Sequence, residues 1–301
     1  MTSPYTSTVK LSVVVLPSER WSENRAKWVH AEELGFHAAY TYDHLSWRSF
    51  RDRTWMSMVP LLAAASSVTS RVALGPLVTS PNFRHPLLLA KDLITLDDLS
   101  GGRLVVGVGA GGRGFDASVF GDAPWSGTER HARFKEFTST LDQLLRESAS
   151  TIEGTFYPIV ESRQIPGPLQ RPRPPLLVSA MGPQGITFAA RIGDGWISVG
   201  GLPSWSGSTE AAVREQSQRL DDALETSGRA GRFERLFLDG QDDEAPLTSF
   251  ERFIDWAERY RALGISELVI HYPVAESIFD YDRALFERIA TEGRETVEHW
   301  G

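Results

Sequence analysis

Short runs of apolar and β-branched residues alternate with longer, amphipathic stretches along most of the chain. The runs at 9–16, 38–42, 71–78 and 104–108 predict four strands. The last is nearly all apolar, as in parallel strands buried on both faces. Between them, 22–34, 54–68 and 86–99 predict helices. The first helix stops at Gly35 and the third at Ser100-Gly101-Gly102, where small residues can leave the helical conformation. The alternation resumes with strands at 176–180, 195–199, 235–238 and 267–271, followed by helices at 184–192, 210–227, 248–263 and 281–298. In the helix at 248–263, Phe250, Phe253, Ile254, Ala257, Tyr260 and Leu263 form one apolar face. Thr248 and Glu251 have capping-box spacing at its start.

Residues 109–175 interrupt the alternation. They hold glycine-rich turns, one helix near 128–147 and six prolines from Pro158 to Pro175, which preclude a regular helix there. A long ordered excursion of this kind serves either as a wall or lid for a ligand or as a tolerated surface insertion. Eight strands, nearly all followed by a helix, predict an α/β fold, a (β/α)8 TIM barrel forming one domain over 1–301 with an insertion between strands 4 and 5. A doubly wound open sheet is the alternative. In a barrel, chemistry belongs at the C-terminal strand ends. Here these include Asp43-His44, Thr79-Ser80, Gly109 to Gly112, Met181-Gly182 and Asp239-Gly240.

Composition narrows the function. The 301 residues carry a net charge of −8, which disfavours nucleic-acid backbones, and no basic patch opposes it. With no cysteine, disulfides, thiolate nucleophiles and cysteine-ligated metals are excluded. The first residues do not read as a signal peptide, and no apolar run is long enough to span a bilayer, so the expectation is a cytoplasmic protein without membrane contact. No nucleophile elbow, Walker A loop or paired-histidine zinc helix occurs, and the seven histidines are dispersed. No metal site is expected.

Gly107-Val108-Gly109-Ala110-Gly111-Gly112 contains the spacing of a dinucleotide fingerprint. It follows the fourth strand, and Arg113-Gly114-Phe115-Asp116 opens no amphipathic helix, so that reading is rejected. What remains is a loop of small residues whose backbone N–H groups can approach an anion, or a plain glycine-rich loop. Ser179-Ala180-Met181-Gly182-Pro183 is a second small-residue loop, running into a helix whose N-terminus would favour a phosphate. Asp43-His44 pairs a carboxylate with an imidazole, suited to moving a proton; a capping Asp43 beside a packed rim His44 is the alternative. The nine tryptophans and fifteen phenylalanines supply pocket walls or core.

Several segments in sequence order resemble the bacterial luciferase-like superfamily of flavin- and deazaflavin-dependent oxidoreductases. They are Ala31-Glu-Glu-Leu-Gly-Phe36 with Tyr42-Asp-His44, Leu74-Gly-Pro-Leu-Val-Thr79 with Arg84-His-Pro86, and Leu99-Ser-Gly-Gly-Arg-Leu104 with Gly107-Val-Gly-Ala-Gly111. Ser179-Ala-Met-Gly182 and Ala190-Arg-Ile-Gly-Asp-Gly-Trp196 follow. The resemblance covers residues 9–200; the C-terminal third matches in pattern only.

The resemblance implies a TIM barrel holding a reduced ring cofactor at its strand C-termini, with a non-prolyl cis peptide at Leu77–Val78. Asp43 and His44 match the pair near the ring and are the expected catalytic residues, with His44 as hydrogen-bond donor or acid. The same two, with Leu77, Val78, Thr79, Gly109, Ala110, Gly111, Ser179, Met181 and Gly182, are the expected cofactor contacts. Coenzyme F-420, an 8-hydroxy-5-deazaflavin, is favoured, with hydride transfer to or from a small organic substrate. The alternative is FMN with oxygen insertion, served by a separate flavin reductase. A catalytically silent barrel acting as a binding protein is a third reading. A homodimer is expected by resemblance. The glutamate that some deazaflavin dehydrogenases place after the strand-four loop falls on Gly112, which argues against sugar-phosphate oxidation of that type.

Overall fold

In a computed structural model of the chain, residues 8–201, 207–229, 233–239 and 245–300 are described. In chain order, β1 (Lys10–Val14), α1 (Trp21–Glu33), β2 (Ala38–Thr41), α2 (Met58–Val68), β3 (Ala73–Pro76), α3 (Pro86–Leu99) and β4 (Val106–Val108) come first. The excursion contributes α4 (Gly127–Arg146) and the strands β5 (Ala149–Ile152) and β6 (Ile159–Arg163). Then follow β7 (Leu176–Ser179), α5 (Pro183–Ile192), β8 (Gly195–Ser198), α6 (Thr209–Thr226), β9 (Glu234–Leu238), α7 (Phe250–Ala262) and β10 (Glu267–His271). The last helical stretch is α8 (Arg283–Arg288), a π-helical turn over Ile289–Gly293 and α9 (Arg294–Glu298). The eight-stranded sheet has the order β3-β2-β1-β10-β9-β8-β7-β4, the order of a (β/α)8 barrel.

Two compact units make up the chain: residues 1–16, 29–40 and 177–301 form the first, and 17–28 and 41–176 the second. In the first, β1 lies between β2 and β10 in parallel register, with Val13 opposite both Ala39 and Ile270. β9 pairs with β10 and β8, and β8 with β7, all parallel. Helices and strands there are joined by apolar packing. Phe237 of β9 stacks on Tyr260 of α7 with ring centroids 4.1 Å apart, and Trp256 lies against both rings. Each such aromatic contributes about 1.5–3 kcal/mol on full burial. One polar knot is set into this core: Ser12 and Tyr40 donate to the Glu267 carboxylate at 2.6 and 3.0 Å. Burial raises the Glu267 pKa above the ordinary carboxylate value.

In the second unit, parallel bridges Leu74↔Leu104 and Thr79↔Val108 set β3 beside β4. A Cβ at Gly75 would lie 1.7 Å from the Val105 carbonyl oxygen, so only glycine allows this approach. The Leu77–Val78 peptide that follows β3 is cis. Arg103, from the Leu99–Leu104 motif, donates to the carbonyls of Ser66, Thr69, Val72 and Ser100 and to the Thr69 hydroxyl. That motif is a clamp between the ends of α2 and α3.

Two readings of the sequence need correction. The N-cap of α7 is Ser249, whose hydroxyl accepts from the Arg252 N–H at 3.2 Å; Thr248 lies one residue earlier in a short 3-10 turn. The excursion, read as turns and one helix, also holds two strands, since β5 and β6 form an antiparallel hairpin; no helix occurs from Pro158 to Pro175, as the prolines require. The hairpin turn is organised from outside: the Glu136 carboxylate on α4 accepts the Phe156 and Tyr157 N–H groups, both at 2.7 Å.

Candidate active site

The strand-end residues of the second unit meet around Asp43. β2 ends at Thr41, which places Asp43 two residues beyond it with its carboxylate buried. The Thr79 hydroxyl donates to Oδ2 at 2.7 Å. Arg84 grips both oxygens, Nη2 to Oδ1 at 2.6 Å and Nε to Oδ2 at 3.0 Å. Burial works against the Arg84 charge, but the hydrogen bonds and charge of Asp43 outweigh it and raise its pKa. Thr79 also bonds through its backbone to the glycine-rich loop, its N–H to Gly107 and its carbonyl to the Gly109 N–H, both at 2.9 Å. Asp43, Thr79, Arg84 and the start of the 109–112 loop are therefore one rigid assembly.

His44 follows Asp43 but faces elsewhere. Its Nδ1 lies 2.5 Å from Oδ2 of Asp116, and Oδ1 of the same carboxylate accepts the Leu45 N–H at 3.0 Å. The Trp55 indole donates to the His44 carbonyl at 2.8 Å. Tyr42 and Trp47, themselves 5.2 Å apart, pack against one side of the imidazole, and Trp47 stacks on Trp55 with centroids 6.2 Å apart. Buried Phe50 underpins the 3-10 turn at Arg48–Phe50 that presents Trp47.

These side chains open on a cleft of about 420 Å³. His44, Trp47, Arg48, Asn82, Phe115 and Asp116 line it, with the backbone of Gly112 and Gly114. That volume lies within the roughly 300–1,000 Å³ usual for small-molecule sites. Gly111 adopts a φ of +71°, and a Cβ there would come within 2.5 Å of the Asn82 amide oxygen. The Asn82 amide in turn donates to the Gly112 carbonyl at 3.2 Å. Asn82 therefore buttresses the loop and lines the cleft.

Among the expected site residues, Asp43, His44, Leu77, Val78, Thr79, Gly109, Ala110 and Gly111 all belong to this second unit. Leu77 is buried and Val78 half-buried, both beside Gly107. Ser179, Met181 and Gly182 lie in the first unit, at the end of β7 and the N-cap of α5. The Gly240 strand end falls outside the described residues. The pattern of the sequence did not single out Asp116, Asn82, Trp47 or Trp55. Arg84 was visible only inside the Arg84-His85-Pro86 segment. Asp116 is the least accessible to such reading, because its contact spans 72 positions and it sits in a glycine-rich stretch without periodicity.

Residues 3–292 match the family described as luciferase-like monooxygenase. The chain belongs to that family. The F420-dependent glucose-6-phosphate dehydrogenase of Beutenbergia cavernae is 36% identical over 181 residues, 58% of this chain and 51% of the relative. The chain thus spans about half the length of that curated relative. Among solved structures, an F420-dependent secondary alcohol dehydrogenase in complex with an F420-acetone adduct superposes with a TM-score of 0.77. The match is 19% identical and covers 94% of this chain and 98% of that one, a likeness of fold. Monooxygenase RslO1 from Streptomyces bottropensis gives a TM-score of 0.72 at 25% identity over 94% of this chain and 98% of its own. No described helix is long and apolar enough to cross a membrane. No group of three or more potential metal-ligating side chains occurs among the described residues.

Proposed function

We propose that this luciferase-like protein is an oxidoreductase that uses coenzyme F-420 to move a hydride to or from a small organic substrate. The observation that carries the reading is the His44–Asp116 pair, set in an aromatic cleft beside the 109–112 loop. The residues suit a flat ring: Trp47 and Phe115 give apolar walls, Asn82 a polar edge, and the exposed backbone at Gly112 and Gly114 an approach without side-chain obstruction. When bound, such a ring supplies a carbon that accepts or returns a hydride. Asn82 and the 109–112 backbone would hold it, while the Asp43–Thr79–Arg84 assembly keeps that loop in place. His44 would take the proton from a substrate hydroxyl as the carbon loses hydride, and return it to the oxygen in the reverse direction. The F-420-dependent names of the curated relative and of the alcohol dehydrogenase support the choice of cofactor. Among the described residues, the cleft lining presents one guanidinium, that of Arg48, which fits a neutral or singly charged substrate.

A second reading, reduced FMN with oxygen insertion, draws on the family description and the likeness to RslO1. It adds a separate flavin reductase as partner. Self-association into a homodimer belongs to both readings. The deciding experiment titrates the purified protein with coenzyme F-420 and with FMN and follows fluorescence quenching. Tight F-420 binding with weak FMN binding is the expected result. Preference for FMN overturns the hydride-transfer reading and predicts oxygen consumption with a flavin reductase. Binding of neither by folded protein overturns both and leaves a silent barrel.

A further inference from the structure

The 2.5 Å contact between His44 and Asp116 has a direction. A carboxylate offers only acceptors, so the proton in that contact sits on Nδ1. Asp116 cannot swing away: it is 5% exposed and its second oxygen holds the Leu45 N–H at 3.0 Å. The imidazole ring packs against Tyr42 and Trp47, whose own rings meet at 5.2 Å on one side of it, and the His44 carbonyl is anchored by the Trp55 indole. No described residue bonds Nε2, and the side chain, 35% exposed, lines the cleft.

We propose that Asp116 is a positioning residue that fixes His44 with its proton on Nδ1 and so makes Nε2 the atom that exchanges a proton with the substrate oxygen. This rests on the cleft being the active site. In substrate oxidation the proton of the broken O–H bond would go to Nε2, a bound cofactor taking the hydride of the carbon; in reduction Nε2 would return the proton to the oxygen. Asp116 keeps its charge throughout and stabilises the imidazolium that forms.

The Leu45 N–H makes the proposal sharply testable. In Asp116→Asn the amide oxygen must stay on that donor, because the amide nitrogen cannot accept it. The amide NH2 then faces Nδ1, which must accept, and the proton moves to Nε2. The same exchange in the Ser-His-Asp triad preserves geometry yet lowers kcat about 10⁴-fold by imposing the wrong tautomer. The experiment is nitrogen NMR of histidine-labelled protein without cofactor or substrate, wild type against Asp116→Asn, with kcat and cofactor Kd measured beside it. His44→Gln assigns the signal. The expected result is a Nδ1-protonated His44 in wild type and a Nε2-protonated one in the variant. A kcat loss of roughly 10²–10⁴-fold and a cofactor Kd within about twofold should accompany it. Asp116→Glu, which keeps the carboxylate, should retain the Nδ1–H tautomer and recover part of kcat. The same tautomer in wild type and Asp116→Asn, or an unchanged kcat, overturns the proposal. Wild-type protein that turns over nothing overturns the functional reading instead, since the nitrogen shifts are read without turnover.

Discussion

Arg84 holds Asp43 by both carboxylate oxygens, at 2.6 and 3.0 Å, with the pair withdrawn from solvent. Removing one partner of such a pair strands a charge in a poorly solvated place. Arg84→Met is expected to lower unfolding free energy by about 3–5 kcal/mol. Arg84→Lys should cost less, since it keeps the charge and loses only the two-pronged geometry. Urea unfolding of the three proteins measures the order. Equal midpoints for Arg84→Met and wild type would show that the fork contributes nothing.

Gly111 combines a left-handed backbone with a missing Cβ pressed against Asn82. Gly111→Ala is expected to strain the loop by about 1–3 kcal/mol and weaken cofactor binding. Gly112→Ala is the control, because a Cβ there meets nothing nearer than 3.8 Å. Asn82→Ala in the Gly111→Ala background should restore part of the lost stability, though not of the binding, by removing the collision while the backbone strain stays. Purely additive effects in this double-mutant cycle would contradict the contact.

His271, at the end of β10, is 1% exposed and stacks on Phe279 with centroids 3.9 Å apart. Burial lowers its pKa to about 3. Between pH 3 and the ordinary histidine value near 6.5, the unfolded chain binds a proton that the folded one refuses. The stability from this group is therefore complete above about pH 6.5 and declines as the pH falls, by up to about 1.4 kcal/mol per pH unit. His271→Gln should flatten the pH dependence of the urea midpoint between pH 6.5 and 4.5. Parallel curves for the two proteins would exclude it.

The start of α7 separates two adjacent hydroxyls. Ser249→Ala should cost about 1 kcal/mol of stability through loss of the cap. Thr248 donates to the Ala245 carbonyl and caps nothing, so Thr248→Ala should cost less. Thermal unfolding of both variants ranks them; the reverse ranking would restore Thr248 as the cap.

The same two hydroxyls illustrate what the sequence could and could not carry. Spacing put a cap within one residue of its place, and α3 runs over the expected residues from Pro86 to Leu99. Proline at its first position and the small residues after its end are local signals, and local signals are legible. β4 begins later than its apolar run because Leu104 makes only an isolated bridge to Leu74. The β5–β6 hairpin was hidden for a different reason: the group that organises its turn, Glu136, lies on α4, 20 and 21 residues before the amides it holds. At the site, Asp43 and His44 are adjacent in sequence yet engage different partners, Arg84 and Thr79 for one and Asp116 for the other. No local pattern encodes that divergence. It follows from which loops the fold brings to each side of one strand end.

The acid on His44 comes from the short 3-10 turn at Phe115–Ala117, within the long excursion rather than from a barrel strand. Loop segments of this kind are where homologous chains accept insertions and replacements most freely. Grafting another relative's 109–126 segment onto this scaffold would therefore exchange more than the contour of a cleft wall. On the role proposed for Asp116, it would also import or delete the carboxylate that orients the histidine, so that the shape of the cleft and the set of its imidazole would travel in one segment.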